Sequence, residues 1–481
     1  MNYLPGNDAP SGWRRAVRET AEEPPFDKAE IALEAAESAT LQAVEWPSEA
    51  RNLREPSLVG WLLDALSRRR VQLSGAFLLG VILPALVRWR LDLLGLAPKN
   101  DMVVLMTVSF HNAVIGTILA QIIGYVAMRQ MKAHPGVRSL GYVGYSFGIS
   151  YGVLGLAFLF VRADYSRYQI LSSFVLTVLW FMFVDYMTSR RAIWRLAFLP
   201  GLAAASLPRA PRVFWHRLSS PELSVPGLTG VVADLRAAHT PDWERFLARC
   251  ALSGLPVFDV RQVSEWLTGR VKVQHLSENT LSANLWRTLY ARGKRLVDLA
   301  GAIAVGPLFI LGILVTGALI RLESPGPALF TQIRMGHRGR TFIIYKLRSM
   351  RADAVGGEDF TSENDPRITR IGAFIRKYRI DELPQIWNII RGEMSWIGPR
   401  PEALPLAEWY ENEVPFYSYR HMVRPGITGW AQVNQGNVAA VDAAIEKLHF
   451  DFYYIKNLSP WLDLLIMAKT MQTILTGFGA R

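Results

Sequence analysis

Uncharged and charged stretches alternate along this chain on two length scales. Met102–Met128 and Ser139–Val161 are uncharged runs of 27 and 23 residues, each long enough to span a bilayer core of about 30 Å. Val71–Val87 and Tyr168–Val184 add runs of 17 residues, with Trp89, Trp180 and Tyr186 as interfacial aromatics near their ends. Four such runs so close together predict a bundle of four transmembrane helices over residues 67–188. Flanking Lys and Arg set the orientation: eleven lie before the first run, between the second and third, and after the fourth, against five in the other two connections. Both ends of the bundle are therefore expected in the cytoplasm. Residues 1–66 read as a cytoplasmic tail without a cleavable signal, disordered apart from a helix over Lys28–Val44.

After Trp194 the short scale takes over. Leu196–Leu199, Val213–Trp215, Gly230–Val232 and Pro256–Val260 are short apolar runs separated by helix-like stretches such as Trp243–Ala251. That alternation predicts a small α/β domain over 194–278 with a mainly parallel sheet. A dinucleotide site would need a Gly-rich turn after the first strand. The segment Leu199-Pro-Gly-Leu-Ala-Ala-Ala-Ser-Leu-Pro208 has one glycine, so the domain reads as a degenerate Rossmann-like unit with a structural or regulatory role.

Leu299–Ile320 is a fifth uncharged run, of 22 residues, between Lys294-Arg295 and Arg321. Pro307, preceded by Gly306, divides it into limbs of 8 and 13 residues. At 1.5 Å per residue neither limb crosses a bilayer, and an interior proline bends a helix. A helix that enters one leaflet, bends and returns keeps both charged ends on one side. A kinked spanning helix is the alternative on physics alone.

The stretch that follows is basic and rich in turns. From Arg334 to Arg400 there are thirteen Lys or Arg, and among them sits the pair Asp381-Glu382 in "YRIDELPQIW". Taken alone, Asp381 reads as a helix N-cap, with Gly392 ending the helix. Its neighbours change that reading. The strand Phe342–Met350 places Lys346 and Arg348 on one face, and two Gly/Pro turns carry Arg400 and Arg424. Backbone amides in such turns, with converging cations, suit phosphate. A polyphosphate substrate also accounts for the acids: one carboxylate can share Mg²⁺ with phosphate oxygens, and one can attack phosphorus.

Other chemistries lack residues. Cys250 is the single cysteine, and the eight His are scattered without ligand spacing, so neither disulfides nor zinc are expected. The net charge of +12 comes with no nucleic-acid motif, and on a membrane protein it fits anionic headgroups or phosphate substrates.

The segments "SPGP", "YKLRSM", "NDPRIT", "DELPQ", "IGPRP", "RPGITGWAQV" and "FDFYYIKN" occur in that order. From about Leu289 to Arg481 the chain thereby resembles the bacterial sugar transferases, the monotopic phosphoglycosyl transferases. With the helices and middle domain, it is similar to their long form, which starts exopolysaccharide or O-antigen repeat units. The resemblance implies an α/β catalytic domain over 286–481, anchored by a re-entrant membrane helix (296–320) broken at Pro307. It implies that Asp381 attacks the β-phosphorus of a UDP-hexose, expels UMP, and passes the sugar phosphate to undecaprenyl phosphate. Mg²⁺ is held with help from Asp381, and Glu382 orients nucleophile or metal. Arg376 and Arg400 clamp phosphates beside Lys346 and Arg348, with Arg424, Pro425 and Gly426 on the nucleotide side. Gly306 replaces a common Ser, Glu393 a common Asp, and Asn434–Asn437 ("NQGN") departs from the usual pattern. The C-terminal segments look nearest to glucose-1-phosphate transferases, with galactose second. The alternatives are a UDP-sugar pyrophosphatase and a non-catalytic polysaccharide-export protein. Against transport, no carboxylate lies at mid-depth in the four runs: Asp164 is in a loop and Asp185 at an end. The middle domain is a candidate surface for a homodimer.

Overall fold

The uncharged runs form helices in a computed structural model. It describes residues 65–93, 108–132, 141–189, 194–202, 213–222, 227–272, 285–351, 367–435 and 441–476, with a few isolated residues between them. The tail with its expected helix over Lys28–Val44 lies outside the described residues, as do Asp365, Pro366, Gly436 and Asn437 of the motifs quoted above.

Helix α1 runs Arg69–Phe77, passes through a π-helical turn at Leu78–Ile82 and continues as Leu83–Leu93. Helices α2 (Val108–Lys132) and α4 (Arg167–Ser189) pack against it, and α3 (Gly141–Val161) packs on α2 and α4. A π turn disturbs the regular ladder of carbonyls, and lipid supplies no water to satisfy them. Gln121 of α2 donates to the Ala76 carbonyl (3.1 Å) and to Thr177 Oγ1 (2.8 Å), and Gln169 of α4 donates to the Val81 carbonyl (3.3 Å). The bundle's buried polar side chains are thus helix-to-helix fasteners. Asp185 stands at a helix end, as expected, and pairs with Lys132 at 2.6 Å. With the helix Leu289–Glu323, five helices among the described residues are long and apolar enough to cross a bilayer. This is a membrane protein.

The middle domain holds strands β1 (Trp194–Phe198), β2 (Val213–Arg217), β3 (Gly230–Ala233) and β4 (Val257–Asp259), all parallel, in the order β2-β1-β3-β4. Period-two alternation divides its core between the two faces. Ala197, Val231 and Ala233 pack on Phe246 and Cys250 of helix α5 (Pro241–Leu252). Leu196, Phe198 and Val232 pack with Val263 of helix α6 (Val260–Thr268). Cys250 is a buried free thiol, as its isolation in the sequence suggested.

Helix α7 (Leu285–Glu323) carries Pro307 without interruption, so the expected break is not a break in secondary structure. The proline deprives the Ile303 carbonyl of its regular partner while helix continues on both sides. Both limbs lie against the same domain. Before Pro307, Arg295 donates to the carbonyls of Ile389 (2.5 Å) and Ile390 (2.9 Å), and Trp396 Nε1 donates to the Asp298 carbonyl (3.1 Å). After it, Phe309 meets Trp396 edge-on, and Ile313 and Ile320 pack with Leu347 and Ile375. Glu323 then caps helix α8 (Arg370–Lys377), accepting from the Arg370 (2.8 Å) and Ile371 (3.1 Å) amides. The outer face of α7, including Leu296, Leu308, Leu311 and Leu314, is exposed and apolar.

The remaining elements build the C-terminal domain. Strands β5 (Leu329–Met335) and β6 (Thr341–Leu347) form an antiparallel hairpin. A 3₁₀ helix (Ile380–Gln385) leads into α9 (Ile386–Arg391), which ends at Gly392 with φ of 83°. Strands β7 (Ser395–Ile397) and β8 (Gly426–Thr428) pair in parallel. Helices α10 (Leu404–Glu413), α11 (Trp430–Asn434), α12 (Val441–Lys456) and α13 (Pro460–Thr476) close the core around Trp430, Phe452 and Tyr454. The middle domain docks on α12. Lys456 meets both oxygens of Glu265 (2.8 and 2.7 Å), Trp430 Nε1 donates to the Gly269 carbonyl (2.9 Å), and the Val271 amide donates to the His449 carbonyl (3.0 Å).

Candidate active site

Asp381 and Glu382 lie in the 3₁₀ helix that follows α8. Its N-cap is Arg379, held at φ of 57°, and no side chain caps it. The simple N-cap reading of Asp381 therefore fails: the chain turns two residues earlier, and the Asp381 carboxyl is left for other work. In a 3₁₀ helix residues three apart are eclipsed. Glu382 and Gln385 accordingly share the buried face, and Asp381, one position round, is only partly covered.

Cations arrive from separate elements. Lys346, on β6, stands 3.7 Å from Glu382 Oε1, and Arg400, in the turn after β7, donates to the same oxygen at 3.0 Å. Arg376, from the last turn of α8, acts on Asp381. The Arg400 turn is held from behind by an ionic group absent from the sequence reading. Arg420 donates to the Arg400 carbonyl (2.9 Å) and pairs with Asp451 (2.9 Å), and Lys447 pairs with Glu402.

Not every expected residue joins. Arg348 is buried, but its guanidinium donates to the Ser324 and Pro325 carbonyls (both 2.7 Å), so it fastens the "SPGP" turn and does not face the carboxylate pair. Arg424 turns away as well: its Nε donates to the Gly392 carbonyl at 3.1 Å, beside Arg295. The two Gly/Pro turns do meet, backbone to backbone. A Cβ on Gly426 would lie 2.1 Å from the Gly398 amide, so only glycine fits. The glycine amides are occupied, Gly398 by the Thr428 carbonyl and Gly426 by that of Pro399 (both 2.9 Å). They offer nothing to phosphate, and the site's positive charge comes from side chains. Gly426, next to Pro425, nonetheless lines a small cavity together with Arg334, Ile344, Lys346, Gln385, Arg400 and Pro401. Arg334 and Gln385 carried no role in the sequence reading. Their signals were present: Gln385 lies three residues after Glu382, and Arg334 is on the strand paired with that of Lys346.

The surroundings drive the two carboxyls apart. Burial, and then the adjacent Glu382, push Asp381 up to about 6 against the pull of Lys346, Arg400 and Arg376. Burial would also raise Glu382, but Arg400, Lys346 and Arg379 outweigh it and hold it near 2. Burial, and then Arg400, lower Lys346 to about 8. Glu382 is thus the fixed anion of the pair and Asp381 the one that titrates near neutrality.

Mg²⁺ fits this donor set. Among the described residues no group of three or more His, Cys, Asp or Glu could form a complete protein cage. Mg²⁺ usually takes one or two carboxylates plus water and substrate phosphate, and a buried Glu382 Oε2 without a hydrogen-bond partner stands next to Asp381.

A sequence profile of the bacterial sugar transferases matches residues 289–477. The chain is 44% identical over 406 residues to the UDP-N-acetylgalactosamine-undecaprenyl-phosphate N-acetylgalactosaminephosphotransferase of Aeromonas hydrophila, covering 84% of this chain and 94% of that one. The chain belongs to the bacterial sugar transferase family. Within the family, the UDP-glucose:undecaprenyl-phosphate glucose-1-phosphate transferase of Caulobacter vibrioides is 40% identical over 186 residues (38% of this chain, 70% of that one). The UDP-galactose-lipid carrier transferase of Erwinia amylovora is 38% identical over 203 residues (39% and 41%). The first match extends upstream of the profile. The family therefore includes a relative that shares the membrane and middle regions of this chain.

Proposed function

We propose that this sugar transferase moves a hexose 1-phosphate from a UDP-sugar to undecaprenyl phosphate at the cytoplasmic face of a bacterial inner membrane, initiating exopolysaccharide repeat units. The observation that carries the reading is the Asp381–Glu382 pair, one carboxyl held as an anion by Lys346 and Arg400 and the other left reactive. The ionised Asp381 attacks the β-phosphorus and the bond to UMP breaks, leaving a phosphosugar acyl phosphate. An oxygen of the lipid phosphate then attacks that phosphorus and the aspartyl oxygen departs, regenerating the carboxylate. Lys346, Arg400 and Arg376 hold the phosphoryl oxygens in place. Mg²⁺, held by Asp381, supplies neutralising charge when bound.

Contacts of both α7 limbs with one domain support re-entry over crossing, with Pro307 as the bend and the lipid acceptor reaching the site along that helix. Among sugars, the relative that matches along most of this chain is named for N-acetylgalactosamine, while those named for glucose or galactose match mainly the catalytic part. We therefore place UDP-N-acetylgalactosamine ahead of UDP-glucose, with UDP-galactose third. A panel of UDP-sugars incubated with undecaprenyl phosphate and the full chain in nanodiscs tests this. Lipid-dependent UMP release is expected; release without lipid product would indicate a pyrophosphatase, and no release at all an export protein.

A further inference from the structure

The cavity beside the carboxylate pair contains polar groups that the proposed reaction has not yet used. Arg334 is largely buried and spends two N–H bonds on protein, to the Pro401 carbonyl (3.0 Å) and to Gln332 Oε1 (2.6 Å). Its Nε–H is buried without a partner. Gln385 is 2% exposed, and its side-chain amide makes no hydrogen bond among the described residues. Both residues line the same cavity with Lys346 and Arg400. Buried donors are nearly always satisfied, and each orphan would cost more than an ordinary surface group. The unpartnered Arg334 Nε–H calls for an acceptor, and Lys346 and Arg400 on the same cavity favour one that is anionic. The space is about 10 Å³ and partly open to solvent, close to the least that admits one water-sized atom. A single phosphate oxygen reaching in from outside fits it.

Which phosphate it takes follows from position. Glu382, the neighbour of Asp381, meets Lys346 and Arg400 directly, whereas Arg334 stands opposite Phe342, four positions along β6 from Lys346, and bonds to the Pro401 carbonyl just past Arg400. Arg334 therefore lies beyond Lys346 and Arg400 as seen from the carboxylate pair. In an in-line displacement the leaving group departs on the side away from attack. We infer that Arg334 and Gln385 form the subsite for the phosphate of the departing nucleoside monophosphate, receiving one of its oxygens between the Arg334 Nε–H and the Gln385 amide. This rests on the UDP-sugar reading above and adds a division of labour. Arg376, which acts on Asp381 and does not line the cavity, stays with the phosphoryl group that is transferred.

The test is binding of UMP and of uridine to the full chain in nanodiscs with Mg²⁺, for wild type, Arg334→Gln and Gln385→Ala. Loss of a hydrogen bond to a charged group is expected to weaken UMP by about 10- to 100-fold for Arg334→Gln, and by somewhat less for Gln385→Ala. Uridine, which lacks the phosphate, should change less than about twofold. A purely structural effect of Arg334, through its bonds to Pro401 and Gln332, would move both ligands together and overturn the inference. Gln385→Ala removes no protein hydrogen bond and so remains informative if Arg334→Gln folds poorly. If the cavity holds only a water molecule, UMP binding is unchanged in both variants while wild-type transfer persists, and the inference alone falls. A wild type that neither binds UMP nor consumes UDP-sugar overturns the underlying reading as well.

Discussion

Asp381 and Glu382 are adjacent in sequence, yet one step round a 3₁₀ helix gives them different partners. Glu382 faces Lys346 and Arg400; Asp381 is close to the Glu382 charge and is partly exposed. Removing the Asp381 charge therefore relieves repulsion in the fold. Because burial and Glu382 raise Asp381 to about 6, its ionised form costs stability at pH 7, and the cost vanishes below about pH 4, where it is protonated in both folded and unfolded chains. Asp381→Asn should accordingly stabilise the protein at pH 7 by on the order of 2 kcal/mol, while transfer drops to background. Mass spectrometry of wild type incubated with UDP-sugar and Mg²⁺ but no lipid should find a phosphosugar on the peptide containing Asp381. An Asp381→Asn protein with near-normal turnover would remove the covalent mechanism.

The same residues set a pH profile. kcat/KM for the UDP-sugar should rise through about pH 6 as Asp381 ionises and fall above about pH 8 as Lys346 loses its proton. Glu382→Gln removes the like charge and should move the rising limb to lower pH, in an enzyme that is also severely slowed. Lys346→Arg should abolish the falling limb, because guanidinium stays charged. A falling limb that survives Lys346→Arg would assign it to another group.

At the scale of elements, periodicity and run length showed much of the architecture in advance. Uncharged runs gave the four helices of the bundle, and short apolar runs gave the parallel sheet, because both patterns follow from which faces are covered. What stayed hidden depended on side-chain direction after folding. Lys346 and Arg348 lie two residues apart, but the strand ends at Leu347, and Arg348 turns to the Ser324-Pro325 carbonyls. Arg400 and Arg424 sit in paired turns, yet only Arg400 reaches the carboxylates. Spacing reports residue types and cannot say which carbonyl will claim a guanidinium. Helix α7 carries the sharpest expectation at this scale. If it re-enters, a cysteine introduced at Gly477 in a Cys250→Ser background stays unreactive towards an impermeant reagent added to intact cells, while one replacing Asp164, in the α3–α4 connection, is labelled. Labelling at both positions would make α7 a spanning helix and place the C-terminal domain outside.

At the scale of the whole molecule, the site residues all follow Leu285, but the domain that bears them does not stand alone. Gly269 supplies the acceptor for buried Trp430, Val271 bonds to His449, and Glu265 holds Lys456. His134, two residues past the end of helix α2, reaches the same surface, its Nδ1 3.0 Å from the Tyr453 hydroxyl. None of these contacts touches Asp381, Glu382, Lys346 or Arg400. They brace α11 and α12, and α12 in turn carries Asp451 and Lys447, which hold Arg420 and Glu402 behind the Arg400 turn. A fragment beginning near Asn284 should therefore retain transferase chemistry in nanodiscs and lose stability. The loss of Trp430's partner and the Val271 bond, each worth about 1 kcal/mol, and of the partly buried Glu265–Lys456 pair, predicts roughly 2–4 kcal/mol. Specific activity at low temperature should stay within about tenfold of the full chain, since slight displacement of Arg400 costs some of its hold on phosphate. Thermal denaturation followed alongside UMP release separates the two effects. A folded fragment with no activity would mean that upstream residues enter the site itself, whereas an unchanged melting temperature would mean that the middle domain rests on α12 without bracing it.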